Sequence, residues 1–122
     1  MNGFTPGQTK TVLARDGGVC LMWGTNPHCL YQASAANHRI NRGAGGSKLL
    51  NVLVNGCAIC GPCNGLIESD PDVAQLARDR GVKVRRSSTI ARDFFNLVET
   101  PLNHPVRGVY FLDAEGGVIG RE

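Results

Sequence analysis

The chain has 122 residues, of which 16 are glycine and 5 are cysteine, while aromatic side chains make up only 6%. A single domain of this length buries roughly 65% of its unfolded surface around a thin core, so a staple of some kind is expected. The net charge of +3 says little by itself, and the absence of any apolar run of about 18 residues excludes a membrane-spanning helix.

In chain order, Met1 to Lys10 lacks the apolar stretch of a secretory signal. A cytoplasmic location follows as an expectation, and in a reducing cytosol the cysteines read as metal ligands or reactive thiols before disulfides. The segment 6–15 predicts a short helix, capped by Thr5 with Pro6 in its first turn and stopped at Asp16-Gly17-Gly18. Cys20 follows directly. Trp23-Gly24 and Asn26-Pro27 mark a turn that leads to His28 and Cys29. Leu30 to Arg39 reads as a strand or hairpin arm delivering His38.

Residues 43–46 are nearly all glycine and form a loop. The apolar run Leu49 to Val54 predicts one helical turn entering a strand, and Asn55-Gly56 a turn. A short helix is expected over 64–69, closed by Asp70-Pro71, and a stronger one over 73–80, capped by Asp72 and ended by Gly81. Val82 to Val84 predicts a brief strand and 86–106 a loop-rich stretch. Val109 to Leu112 and Val118-Ile119 predict a terminal hairpin. No repeat and no second domain is indicated, so residues 1–122 read as one α+β unit, with its core at about 30–70 and an extension over 71–122.

Two sulfur groups stand out. Cys60-Gly-Pro-Cys63 has the spacing of a metal knuckle, and Cys20 lies forty residues upstream. Tetrahedral zinc needs four ligands, and a loop of that length closes readily. A second knuckle would place the fourth ligand at position 23, which is Trp23. Cys29 is therefore assigned to it, with His28 and then Cys57 as alternatives. The competing reading is a thiol redox site, since Cys-Gly-Pro-Cys also opens the long helix of thioredoxin-like domains. Here only about seven residues follow before Asp70-Pro71, and no βαβ pattern leads into the motif.

Between the sulfur groups lies a polar set. Cleaving a phosphodiester needs a base, a metal at the scissile phosphate, and something to hold the base in register. His38 can serve as the base. Asn37 and Asn64 offer amide oxygens to a hard cation such as Mg²⁺ or Mn²⁺ that keeps most of its own waters. Arg39, Arg42 and Lys48 sit in a segment free of acids, and Arg78, Arg80, Lys83, Arg85, Arg86 and Arg92 crowd another. Basic segments flanking such a site suit a DNA backbone, with Arg85 and Arg86 as further contacts; a merely solvated face is the alternative for the second segment.

Taken jointly, Arg15-Asp-Gly-Gly-Val-Cys20, Asn37-His-Arg-Ile-Asn-Arg-Gly-Ala-Gly-Gly-Ser47, Leu50-Asn51-Val and Cys60-Gly-Pro-Cys-Asn-Gly-Leu-Ile-Glu-Ser69 resemble the phage-encoded branch of the HNH endonucleases. Residues 77–84 and 107–113 resemble it too. The resemblance implies a zinc-stapled ββα-metal fold and metal-dependent cleavage of DNA. It puts His38 at the general base, Asn51 at the central asparagine that orients the surrounding loop, and Asn64 at the third position, an H-N-N variant. Cys20, Cys29, Cys60 and Cys63 would hold structural zinc. It further implies a phage origin, action in the host cytoplasm, and work beside phage packaging proteins. Two departures stand out: Trp23 replaces a knuckle cysteine, and Asn37 stands where aspartate is common, so the cation should be held less tightly. A zinc-bearing nucleic-acid-binding module without catalysis is the alternative function.

Overall fold

The computed structural model describes residues 3–41 and 48–121. Helix α1 (Pro6–Arg15) begins as its sequence dictates: the Thr5 hydroxyl accepts from the Gln8 amide, and the Gln8 side chain accepts from the Thr5 amide. Gly17 and Gly18 end it, both with positive φ. Strand β1 (Ala35–His38) pairs antiparallel with β2 (Gly56–Ile59), and His38 lies opposite Gly56. A Cβ on Gly56 would stand 2.9 Å from Val12 Cγ2 and 3.3 Å from Phe4 Cζ, so α1 can close on the sheet only over a glycine. That approach sets the Phe4 ring on His38.

Helix α2 (Gly61–Ser69) follows β2 with one residue between, and α3 (Pro71–Asp79) follows α2 just as closely. Then come α4 (Ile90–Glu99) and a three-stranded antiparallel sheet of β3 (Leu102–His104), β4 (Gly108–Leu112) and β5 (Val118–Arg121), in the order β3-β4-β5. Among the described residues the protein is thus an α+β fold of four α-helices and two small sheets. No described helix is long and apolar enough to cross a membrane. One buried cluster joins the halves: Leu21, Leu50 and Ile59 pack with Leu97, Leu102 and Tyr110, and the four clustered cysteines belong to it.

Several boundaries differ from expectation. The arm expected over 30–39 forms a ladder only at 35–38; upstream, Gln32 makes an isolated antiparallel bridge with Val19, and the Ala33 and Ser34 amides bond to Gly18 O and Ile59 O. The run 49–54 forms two 3-10 turns, Lys48–Leu50 and Leu53–Asn55, and Asn55-Gly56 opens β2 in place of a turn. Helix α2 starts at Gly61, since Pro62 suits a first turn. The cap of α3 is Asp70, whose carboxylate accepts from the Asp72 and Val73 amides; Asp72 lies inside the first turn. Val82 to Val84 is no strand: Val82 and Lys83 close the end of α3 on Ala77, and the Val84 amide reaches Arg39. The stretch 86–106 holds α4 and β3. Thr89 caps α4, and Ile90, Phe94, Leu97 and Val98 recur at helical spacing on one face. The terminal hairpin is present and gains β3 as a third strand. The glycine loop at 43–46 lies outside the described residues.

Candidate functional site

The sulfur atoms of Cys20, Cys29, Cys60 and Cys63 all lie within 4.8 Å of one another, and all four residues are buried. Zinc held tetrahedrally at about 2.3 Å from sulfur needs S···S separations of about 3.8 Å, so small shifts would close this group on an ion. Each sulfur also accepts at least one N–H, as coordinated thiolates do. The donors are Met22 N to Cys20 at 3.4 Å, Tyr31 N to Cys29 at 3.4 Å, Leu30 N to Cys60 at 3.4 Å, and Asn26 Nδ2 to Cys63 at 3.3 Å. Burial pushes the Cys63 thiol up to about 12 and raises the Cys20 thiol as well. Against the same burial, N–H groups of Leu30 and Cys63 hold Cys60 below the ordinary thiol range. The donor set and its amides suit a metal such as zinc, and binding one would release protons. Cys29 completes the group, as expected. His28 is exposed, and Cys57 stands apart, fully buried beside Asn37 and Val82.

Helix α2 links this group to a second feature. Cys60 and Cys63 begin it; Asn64 and Glu68 follow on its exposed side. Across from them β1 presents His38, and the two elements enclose a cavity of about 180 Å³ lined by Ala36, Asn37, His38, Asn41, Asn64 and Glu68. Here the structure brings together three of the expected polar residues, Asn37, His38 and Asn64. His38 Nε2 stands 2.8 Å from Asn51 Oδ1, and its ring stacks on Phe4 with centroids 4.1 Å apart and planes 8° from parallel. An amide oxygen only accepts, so this contact places the proton on Nε2 and makes Nδ1 the basic nitrogen. Asn37 is largely buried: its amide nitrogen donates to Val82 O at 3.0 Å and to Cys57 Sγ at 3.7 Å. That anchors the amide by its nitrogen end and leaves the oxygen for the cavity it lines.

Two placements change the reading of the site. Asn55, read from the sequence as half of a turn, is wholly buried and ties the loop that follows β1. It accepts from Ile40 N at 2.7 Å and donates to Ile40 O at 3.1 Å and Leu50 O at 2.9 Å. Asn51, expected to orient that loop, places its side-chain oxygen on the His38 ring. The second change corrects the basic set. Arg39 is no surface cation: it is 0% exposed, and its guanidinium donates to the carbonyls of Gly81, Val54, Leu97 and Thr100 at 2.8 to 3.2 Å. Arg39 follows directly after β1, where the chain bends, and its side chain runs inward to those carbonyls. Burial lowers it to about 10, far above neutrality, so the charge persists inside. Lys48 and Arg85 are exposed, as a backbone contact requires. Arg86 is exposed but leans on the buried Asp93 carboxylate at 3.8 Å. Arg42 lies outside the described residues.

No family model, curated protein or solved structure matches the chain. The site therefore speaks through its own geometry. Phe4, Asn55 and Glu68 were not singled out from the sequence. Glu68 alone had a usable signal, its place four residues after Asn64 in a helix. Phe4 and Asn55 act across the fold and leave no local pattern.

Proposed function

We propose that this protein is a metal-dependent DNA endonuclease of the HNH type, hydrolysing phosphodiester bonds. The observation that carries the reading is the 2.8 Å contact of His38 Nε2 with Asn51 Oδ1 at the edge of a polar cavity shared with Asn37 and Asn64. The succession of β1, β2 and α2 around that cavity fits a ββα-metal arrangement.

In this reading Asn51 and Phe4 hold the imidazole ring, and Nδ1 takes a proton from water as it attacks phosphorus. Asn37 and Asn64 present amide oxygens to a divalent cation such as Mg²⁺ or Mn²⁺, which would neutralise charge on the phosphate and on the leaving 3′-oxygen. The four-cysteine group would hold zinc in a purely structural role, fixing the start of α2 and with it Asn64. Lys48 and Arg85 would meet the DNA backbone and set its salt dependence.

The test is nicking of supercoiled plasmid in Mg²⁺ or Mn²⁺. His38→Ala should retain its fold and its DNA affinity while cleavage falls by about 10² to 10⁴, the usual worth of a general base. A His38→Ala protein that cuts at the wild-type rate refutes the mechanism. Wild-type protein that binds DNA and never cuts leaves a zinc-bearing binding module.

A further inference from the structure

We propose that Glu68 supplies the anionic ligand of the divalent cation in the His38 cavity, an inference that rests on the nuclease reading of that site. The charge balance of the lining residues drives it. Asn37, Asn41 and Asn64 carry neutral amides, His38 a neutral ring, and Ala36 nothing polar; Glu68 is the one carboxylate among them. Hard cations that keep several waters are bound through one or two carboxylates, because neutral amide oxygens repay little of the dehydration cost.

Position 37 cannot supply that charge. It is an amide, pinned by its nitrogen to Val82 O and Cys57 Sγ, and both contacts require an N–H. Glu68 can. It stands four residues after Asn64 on α2, so the two side chains share a face with Cβ atoms roughly 5–6 Å apart. One cation can then take both oxygens, with the flexible glutamate stem adjusting the reach. Glu68 is exposed and makes no ion pair among the described residues, and it is the only charged residue of α2. Its charge is thus not committed to a lysine or arginine on the neighbouring elements. The start of the same helix is set by Cys60 and Cys63, which ties the backbone that carries Asn64 and Glu68 to the sulfur group.

The measurement is Mn²⁺ binding to the full, zinc-loaded chain, followed by electron paramagnetic resonance of the free ion in the absence of DNA. Glu68→Gln should raise the Kd for Mn²⁺ by about tenfold or more, with zinc content and melting temperature unchanged, and Asn64→Ala should raise it less. Glu68→Asp, which keeps the charge on a shorter stem, should recover part of the loss. A Glu68→Gln Kd within about twofold of wild type overturns the proposal and leaves Glu68 a solvated helix carboxylate, as does a wild-type chain that binds no Mn²⁺. Parallel nicking assays keep the two readings separate. Mn²⁺ bound through Glu68 without cleavage refutes the nuclease and spares the ligand; cleavage with unaltered Mn²⁺ binding by Glu68→Gln does the reverse.

Discussion

The two ends of α2 solve opposite problems. At its start, four sulfurs are buried and each receives an N–H, so the group is closed, dry and fully satisfied. Directly after Cys63 and one turn further on, Asn64 and Glu68 line an open polar cavity. The contrast shows how a thin core can carry a site. Rigidity is concentrated in groups that water does not reach, and the exposed groups inherit their positions from them. Neighbours His38 and Arg39, at and just past the end of β1, repeat the pattern: the first lines the cavity, and the second lies in the core against four carbonyls.

If the sulfur group is the proposed zinc site, removing its metal should give the largest effect, because structural zinc contributes on the order of 10–16 kcal/mol of apparent binding energy in small domains. Chelation should abolish the cooperative melt and most of the helical circular dichroism, whereas withdrawing Mg²⁺ should leave both intact. A metal-stripped chain that melts as before would erase the distinction between the two ends of α2. Cys29→Ser should follow the same course as chelation, and Cys57→Ser should not.

Arg39→Met comes next. It leaves four buried carbonyls without a donor and should cost about 3–5 kcal/mol in urea unfolding, as breaking a buried charged network does. A loss below about 1 kcal/mol would return Arg39 to the surface set.

Alkaline pH probes the closed region through Cys57, whose thiol burial raises to about 11. The unfolded chain deprotonates near 9.0 while the native chain keeps its proton, so stability falls as pH rises from about 9 to 11. The fall attributable to this residue should be about 2–3 kcal/mol, and Cys57→Ala should remove that share of the slope. An unchanged slope would place the thiol in contact with water.

Asn51→Ala sharpens the open side and should have the smallest effect on stability, about 0.5–1.5 kcal/mol for the partly exposed hydrogen bond to His38. On the proposed nuclease reading, cleavage should fall all the same, because the His38 ring loses the partner that selects its tautomer. A stability loss as large as that of Arg39→Met would show that Asn51 belongs to the closed core.

Much of this was legible in local chemistry. Thr5, Pro6 and Gln8 specify the start of α1 by capping alone, and Asp16-Gly17-Gly18 its end. The CxxC spacing with Cys20 and Cys29 marked all four sulfurs now clustered, and the run 36–64 held His38, Asn37 and Asn64 together. Helix α4 was also readable, since Thr89 and the spacing of Ile90, Phe94, Leu97 and Val98 are local signals; the flanking prolines and basic residues masked them.

Other assignments exist only in three dimensions. Whether an arginine lies at the surface or serves as a core strut depends on whether carbonyls such as those of Gly81, Leu97 and Thr100 converge on it. Those residues lie 42 to 61 positions away, beyond any local pattern. Asn55 ties a loop because Ile40 and Leu50 meet it, and Phe4 covers His38 because α1 closes over Gly56. Composition, caps and ligand spacing are properties of neighbours along the chain, and the sequence determines them. Burial, charge pairing and the sharing of one cavity depend on long-range closure, and that only the tertiary structure decided.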